Sequence, residues 1–311
     1  MDYSILIKDV TKKYSELTAI DNLTLNIEKG KIFGLIGPDG SGKTTLIRMI
    51  ASLIKQGSGS INVANLDNIK DYKAIRKIIG YMPGKFSLYQ DLTVEENLKL
   101  FATIFNTDIK TNYHLIEDIY SHLEPFKDRP AGKLSGGMKQ KLALSCSLIH
   151  KPEILLLDEP TTGVDPVSRR DLWQMLIKLK NFGITIVVST PYMDEASLCD
   201  EIALMQTGRA LSVNTPQEII DNFSNNIFSI SGQSNYLLLN ALKSFSPDYL
   251  VYPFGETLHL ISPENKSDKE GLESYLNSQK FLEFKIEQIK PTIEDCFINL
   301  MSRNTGAVND K

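Results

Sequence analysis

The stretch Gly37-Pro38-Asp39-Gly40-Ser41-Gly42-Lys43-Thr44-Thr45 decides the fold predicted for this chain. It fits the phosphate-binding loop pattern G-x-x-x-x-G-K-[ST]. An apolar run, Ile32–Ile36, precedes the loop, and a helical pattern with Leu46, Ile50 and Leu53 on one face follows it. Strand, glycine loop and helix in this order form the context that the motif requires. The chain is therefore predicted to bind a nucleoside triphosphate.

The residue types in this loop match that chemistry. Glycines let successive backbone N–H groups turn inward around phosphate oxygens, and the new helix adds the positive end of its dipole. Lys43 can reach the β- and γ-phosphates, and the Thr44 hydroxyl can ligate Mg²⁺. The whole loop is predicted to bind the nucleotide, which gives as candidates Gly37, Pro38, Asp39, Gly40, Ser41, Gly42, Lys43, Thr44 and Thr45.

Composition narrows the class of protein. A length of 311 residues suits two domains, and a formal net charge of −4 offers no basic surface for nucleic acid, so no nucleic-acid partner is expected. No apolar run approaches the roughly 20 residues that a membrane-spanning helix needs, and the first residues lack a signal-peptide pattern. Cys146, Cys199 and Cys296 stand alone in the sequence and are predicted to be reduced thiols without a metal or catalytic role.

A second glycine motif occurs at Leu134–Gln140, which reads LSGGMKQ. Ser135, Gly136 and Gly137 stand where a helix should begin, so they are predicted to form a second anion-binding site. Taken alone, such a motif is more often a flexible turn. Its position shortly before an acidic strand favours the binding interpretation.

The acidic strand is Ile154–Pro160, with the sequence ILLLDEP. A continuous apolar run that ends in Asp158 and Glu159 predicts a buried parallel strand that delivers two carboxylates to the edge of a sheet. The alternative is a pair of solvated acids at a strand end or a helix cap. The phosphate-binding loop upstream favours Mg²⁺ chemistry at these carboxylates.

Strands alternate with helices over the first two-thirds of the chain, which predicts an α/β fold with a mainly parallel sheet and helices on both faces. Early strands are predicted at Ser4–Ile7 and Leu23–Ile27. A mostly helical pattern over about residues 85–150 predicts a helical insert, in which Thr93 and Glu96 fit a capping box.

The character of the sequence changes near residue 225. Strands are expected at residues 227–231, 249–252, 257–261 and 282–289, with helices at 236–244 and 269–278. This βαββαβ order is the split-βαβ arrangement of ferredoxin-like modules. We therefore predict a cassette at 1–224, a small α+β accessory module at 225–303 that ends in an amphipathic helix, and a loose tail at 304–311.

Together these motifs resemble one family, the ATP-binding cassette (ABC) ATPases. Gly37–Thr45 looks like the Walker A motif of that family, Leu134–Gln140 like its signature and Ile154–Pro160 like Walker B with its catalytic acid. Gly163–Asp165 is similar to the D-loop. Tyr14, which from sequence alone is either an ordinary core or surface aromatic or a base-stacking residue, matches the adenine-stacking aromatic of the family.

The resemblance implies a phosphate-loop NTPase cassette with a mainly parallel core sheet, an antiparallel β-subdomain and a helical insert. It implies that two cassettes close head to tail over two ATP molecules. Lys43 would hold phosphates, Thr44 and Asp158 would position Mg²⁺, and Glu159 would polarise the attacking water. Ser135, Gly136 and Gly137 would contact the γ-phosphate held by the other cassette.

A narrower resemblance, to the ATPase subunits of bacterial drug-type ABC-2 exporters, is carried by GPDGSGKTT, by Tyr81–Pro83 and by Pro291–Asp295. It implies an ATPase that drives multidrug export through a separate ABC-2 membrane permease. The subunit would be cytoplasmic and would attach to the inner face of the cell membrane through that permease. The second cassette could be another copy of this chain or a different one.

Two positions depart from the family pattern. Gly84 stands where the family usually has a glutamine after its Tyr-x-Pro, and Pro191 stands where a histidine should follow Ser189 and Thr190. Gln90 lies nearby in sequence, without evidence that it substitutes. Removal of one preorganised donor typically lowers a rate by about 10²–10³. The sequence therefore suggests that this chain hydrolyses its own ATP slowly and that its signature serves a partner site, unless the subfamily works without both side chains.

Three other functions compete with the exporter hypothesis. A soluble ABC ATPase acting on ribosomes or DNA is disfavoured by the single cassette, the short insert and the lack of basic charge. Asn265–Asp268 matches the guanine-reading pattern N-K-x-D, but it lies in the C-terminal module, so a GTP switch is disfavoured. A regulatory cassette that binds ATP without useful turnover remains open because of Gly84 and Pro191.

Overall fold

The computed structural model of the chain describes residues 2–263 and 269–306. The chain divides into two compact units, residues 1–216 and 217–311. This division precedes the boundary predicted at residue 224, because Ile219 is buried within the second unit and its carbonyl accepts a bond from Cys296 Sγ. The Asn265–Asp268 motif and residues 307–311 of the predicted tail lie outside the described residues. In those two ranges, no helix combines the length and apolar character needed to cross a bilayer.

The first unit contains two sheets. Its strands, in chain order, are β1 Tyr3–Tyr14, β2 Leu17–Glu28, β3 Ile32–Ile36, β4 Ser58–Val63, β5 Leu66–Asp67, β6 Ile79–Met82, β7 Ile154–Asp158, β8 Thr185–Thr190, β9 Glu201–Gln206 and β10 Arg209–Asn214. The core sheet has the order β10-β9-β3-β8-β7-β6, and every neighbouring pair in it is parallel except β10 with β9. The mainly parallel sheet is confirmed.

Strands β3, β7 and β8 are buried along their whole length, which explains why they read as unbroken apolar runs. In this sheet Ile36 lies opposite Thr190, and Asp158 lies opposite Ser189. The carboxyl ends of three adjacent strands therefore meet at one edge. The phosphate-binding loop, the acidic pair and Pro191 all leave the sheet at that edge.

The second sheet is antiparallel, with the order β2-β1-β4-β5. Its first two strands are much longer than predicted, since Ser4–Ile7 and Leu23–Ile27 are the interiors of strands of 12 residues each. The pairing of β1 with β2 shifts register between Ile7 and Val10, and Asp9 has a φ of 51°. Such bulges break the alternation of apolar and polar residues, which is why sequence periodicity ended the strand too early.

Helices pack around these sheets as α1 Lys43–Ile50, α2 Tyr72–Ile78, α3 Val94–Ile104, α4 Tyr113–Tyr120, α5 Gly136–Leu148 and α6 Pro166–Asn181. The predicted capping box at the start of α3 is confirmed, with Thr93 and Glu96 each bonded to the other's backbone N–H. Helix α1 ends earlier than its apolar pattern suggests. Ser52 adopts a φ of 57°, and Leu53 is 46% exposed instead of lying on the buried face.

The second unit is a split-βαβ module, as predicted. Its elements are α7 Pro216–Asp221, β11 Asn226–Gly232, α8 Asn235–Lys243, β12 Leu250–Phe254, β13 Thr257–Ser262, α9 Lys269–Ser278, β14 Phe284–Gln288 and α10 Ile293–Gly306. Its sheet has the order β12-β13-β11-β14 with every pair antiparallel. The last helix includes residues 304–306, so the predicted tail begins within a helix.

Both faces of the sheet in the second unit are covered. Leu258 and Leu260 of β13 belong to a core with Leu238 of α8 and Leu272 of α9. His259 lies between them in sequence and therefore points to the other face. There its ring Nδ1 lies 2.7 Å from Asp295 Oδ1 in the first turn of α10.

Candidate nucleotide site

The phosphate-binding loop connects β3 to α1 at the carboxyl edge of the core sheet. Gly42, immediately before the helix, has a φ of 103°, a conformation that L side chains rarely adopt. A Cβ at this position would lie 2.5 Å from the Ala19 carbonyl oxygen, and one at Gly37 would clash with the Met205 carbonyl oxygen. These glycines are required because the backbone passes too close to its neighbours for any side chain.

Lys43 is the first residue of α1 and is only 3% exposed. Its Nζ donates to the carbonyl oxygens of Gly37, at 2.8 Å, and Pro38, at 2.9 Å, and lies 3.7 Å from Glu159 Oε1. Burial lowers the pKa of Lys43, and the nearby Glu159 carboxylate opposes that shift. A phosphate group would bring more negative charge to this ammonium than two carbonyl dipoles do.

A second loop side chain also fits a phosphate ligand. Ser41 is 2% exposed, and its Oγ has no hydrogen-bond partner within the protein. A buried hydroxyl without a partner is costly, so a phosphate oxygen would remove an existing penalty. The cavity beside it has a volume of about 250 Å³. It is lined by Tyr14, Leu17, Thr18, Ala19, Gly40, Ser41, Gly42, Lys43, Thr44, Thr45 and Glu159.

The two predicted metal ligands are brought into contact. Thr44 Oγ1 donates to Asp158 Oδ1 at 2.9 Å, although the two residues are 114 positions apart in sequence. Ser189 Oγ donates to the same carboxylate oxygen at 2.8 Å. A hydroxyl beside a carboxylate is a hard oxygen donor set, which suits Mg²⁺ held partly by protein and partly by phosphates. In the described ranges no cluster of three or more acidic, histidine or cysteine side chains could cage a metal.

Glu159 follows β7 directly and has a φ of 51°, an uncommon conformation for a residue with a Cβ. Its backbone N–H donates to Ser189 Oγ at 3.0 Å, and its Oε2 accepts a long bond of 3.4 Å from Thr162 Oγ1. The side chain is 25% exposed and faces Lys43. An unusual backbone geometry that aims a carboxylate at the phosphate cavity is compatible with a role as general base.

Tyr14 stands at the mouth of the same cavity and is 44% exposed. It is the last residue of β1, and the Lys12 ammonium lies 5.1 Å from its ring centre. An exposed ring beside a phosphate-binding loop leaves a face for a nucleobase. The base-stacking role of Tyr14 stays a prediction.

The signature residues are not part of this cavity. Ser135 caps α5 by accepting a bond from the Met138 N–H at 3.4 Å, and Gly136 and Gly137 form the first turn. A Cβ at Gly137 would lie 3.0 Å from Ser168 Oγ at the start of α6. The segment that resembles the signature therefore lies beside α6 of its own chain. Ser135 and Gly136 are exposed to solvent.

The two departures from the family pattern lie beside the site. A Cβ at Gly84 would lie 3.0 Å from the Asp158 carbonyl oxygen and 3.8 Å from Glu159 Cβ, so this loop touches the acidic strand end. Pro191 follows β8, whose Thr190 carbonyl oxygen accepts the Gly37 N–H at 3.3 Å. The Gln90 backbone carbonyl oxygen accepts from the Gly132 N–H at 2.8 Å, in the segment that leads to the signature.

Sequence reasoning missed Ser189, which holds both acids through Asp158 Oδ1 and the Glu159 N–H. A signal was available. The β-branched run before it predicts a strand parallel to the acidic strand, and adjacent parallel strands end at the same edge. The register could not be read from sequence, because it depends on which strands are neighbours.

Comparison with known proteins gives consistent matches. Residues 20–162 match the family model described as ABC transporter. The probable multidrug ABC transporter ATP-binding protein YbhF of Escherichia coli (strain K12) is 40% identical over 291 residues, covering 91% of this chain and 49% of YbhF. This chain therefore spans about half the length of that relative. The Nod factor export ATP-binding protein I of Sinorhizobium fredii (strain NBRC 101917 / NGR234) is 33% identical over 306 residues, covering 97% of this chain and 87% of that protein.

Solved structures agree with this assignment. The cbiO1 subunit from Clostridium perfringens, part of the ABC transporter complex cbiONQ, has a TM-score of 0.64 and 26% identity, covering 71% of this chain and 92% of its own. The ATP-binding cassette MJ0796, solved as a dimer in a post-hydrolysis state with ADP and Pi, has a TM-score of 0.61 and 29% identity, covering 68% and 98%. This chain belongs to the ATP-binding proteins of the ABC transporter family.

Proposed function

We propose that this chain is the ATP-hydrolysing subunit of an ABC exporter and that it works on a separate membrane permease of the ABC-2 type. The observation that carries the proposal is the convergence of Lys43, Thr44, Asp158 and Glu159 at one sheet edge. The relative named for Nod factor export supports the direction of transport, and the relative named as a multidrug transporter supports the substrate class. The narrower resemblance to drug-type exporters supports the ABC-2 permease and a place on the inner face of the cell membrane.

The chain's own residues would handle ATP in the following way. Lys43 exchanges its two carbonyl partners for phosphate oxygens, and the backbone N–H groups of the loop surround the same phosphates. Thr44 and Asp158 would hold Mg²⁺, which neutralises charge that develops on the phosphates. Glu159, released from Lys43, accepts the proton of the attacking water. Tyr14 offers its exposed ring to the adenine.

The site is proposed to be composite. Ser135 and the N-terminal turn of α5 provide an anion-binding end that lies outside the cavity lined by the chain's own loop. A second cassette could place its phosphate-binding loop against that end. The dimeric state of MJ0796 supports the pairing of two cassettes. The partner would be either another copy of this chain or a different cassette.

A mixing experiment tests the composite site. Lys43→Ala removes the ammonium that would hold the β- and γ-phosphates, and Ser135→Arg blocks the signature, so each variant alone should lose turnover. In a mixture, random pairing makes half of the dimers mixed, each with one intact site, so about a quarter of the wild-type turnover should return. Unchanged turnover of Ser135→Arg alone would show that the site is self-contained and that the proposal is wrong.

A second candidate is a regulatory cassette that binds ATP with little turnover. It is favoured by Gly84 and Pro191, which supply no donor to the γ-phosphate. Under this alternative the intact signature activates a more complete site on a partner cassette. Nucleic acid is not proposed as a partner, since the net charge is −4.

A further inference from the structure

A cluster of polar and charged side chains lies next to the phosphate cavity without lining it. Arg169 comes from α6, and Thr161 from the loop that follows Glu159. Tyr192 and Glu195 come from the segment after Pro191. The cluster therefore joins α6, the loop after Glu159 and the segment after Pro191, and neither the family motifs nor the proposed chemistry uses it.

Glu195 is the buried centre of this cluster, at 1% exposure. Its Oε2 accepts a hydrogen bond of 3.1 Å from Thr161 Oγ1. Its Oε1 lies 3.6 Å from Arg169 Nε, too far for a hydrogen bond, and neither of those atoms has another hydrogen-bond partner. A buried carboxylate needs a countercharge, and the Arg169 guanidinium supplies it.

Arg169 also contacts two further residues of the segment after Pro191. The guanidinium carbon lies 4.1 Å from the centre of the Tyr192 ring, and one of its terminal nitrogens, Nη1, lies 3.6 Å from Asp194 Oδ2. Stacking on an aromatic face depends on the planar guanidinium, which a lysine does not have. One side chain of α6 therefore holds Tyr192, Asp194 and Glu195 together.

The cluster is linked to the reacting groups on both sides. Thr161 lies two residues after Glu159, and its neighbour Thr162 donates to the Glu159 carboxylate. Tyr192 directly follows Pro191, whose side chain cannot donate a hydrogen bond. The Tyr192 N–H donates to Thr190 Oγ1 at 3.1 Å, and this local bond fixes the backbone on both sides of Pro191.

We propose that Arg169 is a positioning residue that anchors the segment after Pro191 to α6 and keeps Glu159 aligned without a side chain at position 191 touching ATP. The inference rests on the proposed function, in which Glu159 activates water. Arg169 acts through Glu195 and Tyr192 and does not contact the nucleotide cavity. Its loss should therefore lower kcat and leave ATP affinity unchanged.

The chain contains a natural reporter for this anchor. Trp173 is its single tryptophan, is 2% exposed and lies four residues after Arg169 on the same face of α6. Its fluorescence therefore senses movement of α6 against the core. If the anchor transmits nucleotide binding from the Glu159 loop to this helix, Mg²⁺-ATP will change the Trp173 emission.

The experiment compares matched variants of the full chain. Arg169→Met removes the anchor, and Arg169→Met with Glu195→Gln removes it while leaving no unpaired buried charge, so the pair remains informative if the single variant fails to fold. Arg169→Lys keeps the charge without the planar stack. Tyr192→Phe keeps the ring face that Tyr192→Leu removes. Arg170→Met, an exposed neighbour on α6, is the control.

We expect the Arg169 variants and Tyr192→Leu to lower kcat about 10- to 100-fold with unchanged KM, since small misplacement of a catalytic group has effects of this size. They should also lose the Trp173 response to Mg²⁺-ATP, whereas Tyr192→Phe and Arg170→Met keep both properties. Arg169→Lys should recover thermal stability but not kcat.

Three outcomes separate the possibilities. If wild type fails to bind radiolabelled ATP, the proposed function is wrong. If ATP binds and Trp173 responds equally in wild type and in the Arg169→Met, Glu195→Gln pair, the positioning role is wrong, even where turnover is too slow to compare. Full rescue of kcat by Arg169→Lys would show that the cluster only neutralises the Glu195 charge, and it would also overturn the proposal.

Discussion

Lys43 shows the chemistry of the site at the scale of a single residue. An ammonium group that is 3% exposed has lost most of its hydration, and burial lowers its pKa. Two loop carbonyls and Glu159 compensate only in part. The group is therefore prepared for a stronger anionic partner, and a bound phosphate would also separate it from Glu159.

Replacement of Lys43 by alanine tests this argument. We expect Lys43→Ala to weaken ATP binding about 10- to 100-fold, since a hydrogen bond to a charged group contributes about 1.5–3 kcal/mol. Isothermal titration with ATP measures the change, and the exposed Lys8→Ala is the control. Equal affinity of Lys43→Ala and wild type would show that the phosphates bind elsewhere.

Asp158 allows the metal to be tested separately from the nucleotide. In Asp158→Asn the amide oxygen can still accept from Thr44 and Ser189, so the strand end should keep its structure. Loss of the negative charge should reduce the gain in ATP affinity that Mg²⁺ provides by about tenfold or more, while affinity in EDTA stays unchanged. An undiminished Mg²⁺ effect would remove Asp158 from the metal site.

At the scale of elements, the sequence predicted best those strands and helix ends whose environment determines the residue types in the segment itself. Strands buried on both faces read as apolar runs, and the start of α3 carries its capping box. The long hairpin of β1 and β2 was truncated because its bulges interrupt the alternation. The register that brings Ser189 to Asp158 is a property of the assembled sheet, so local patterns could not predict it.

Helix α10 is attached to the sheet of the second unit by a buried acid. Asp295 is fully buried, and burial alone would raise its pKa. Contacts with His259, Tyr252 and Thr292 outweigh that effect and hold the pKa of Asp295 below its ordinary value of 3.8. Because the folded pKa is depressed, the stabilisation is present above pH 4 and is lost as the pH falls through the folded pKa.

We therefore predict that Asp295→Asn weakens the attachment of α10 at pH 7 by about 2 kcal/mol, the scale of a hydrogen bond to a charged group. Hydrogen exchange of the amides in residues 293–303, read by mass spectrometry, should be faster in Asp295→Asn than in wild type. The exposed Glu270→Gln should leave it unchanged. Protection that is equal in Asp295→Asn and wild type at pH 7 would contradict the attachment.

At the scale of the whole molecule, the fold class and the family predicted from sequence are confirmed. The reason is that the strand or helix next to each of the three motifs, Gly37–Thr45, Leu134–Gln140 and Ile154–Pro160, can be predicted from the flanking sequence. The structure divides the chain at residue 216, before the boundary predicted at residue 224, and nothing in the sequence shows that Ile219 packs within the C-terminal unit. The Arg169 cluster was also invisible, since its members are brought together only by the fold.

We propose that this molecule binds ATP firmly at Gly37–Thr45 and hydrolyses it slowly there, and this is the central claim of the proposed function. The structure suggests which variant tests it best. The Cβ of a glutamine at Gly84 would lie 3.0 Å from the Asp158 carbonyl oxygen, so that carbonyl would have to shift by a few tenths of an ångström. Pro191→His is the cleaner change, and Pro191→Ala controls for loss of the proline ring.

The measurement is steady-state ATP turnover of the purified chain, of Pro191→His and of Pro191→Ala. We predict slow turnover in wild type, an increase of at least tenfold in Pro191→His and none in Pro191→Ala, because one preorganised donor is typically worth about 10²–10³ in rate. Turnover of wild type near the ordinary enzyme value of about 10 s⁻¹, with no increase in Pro191→His, would contradict the claim.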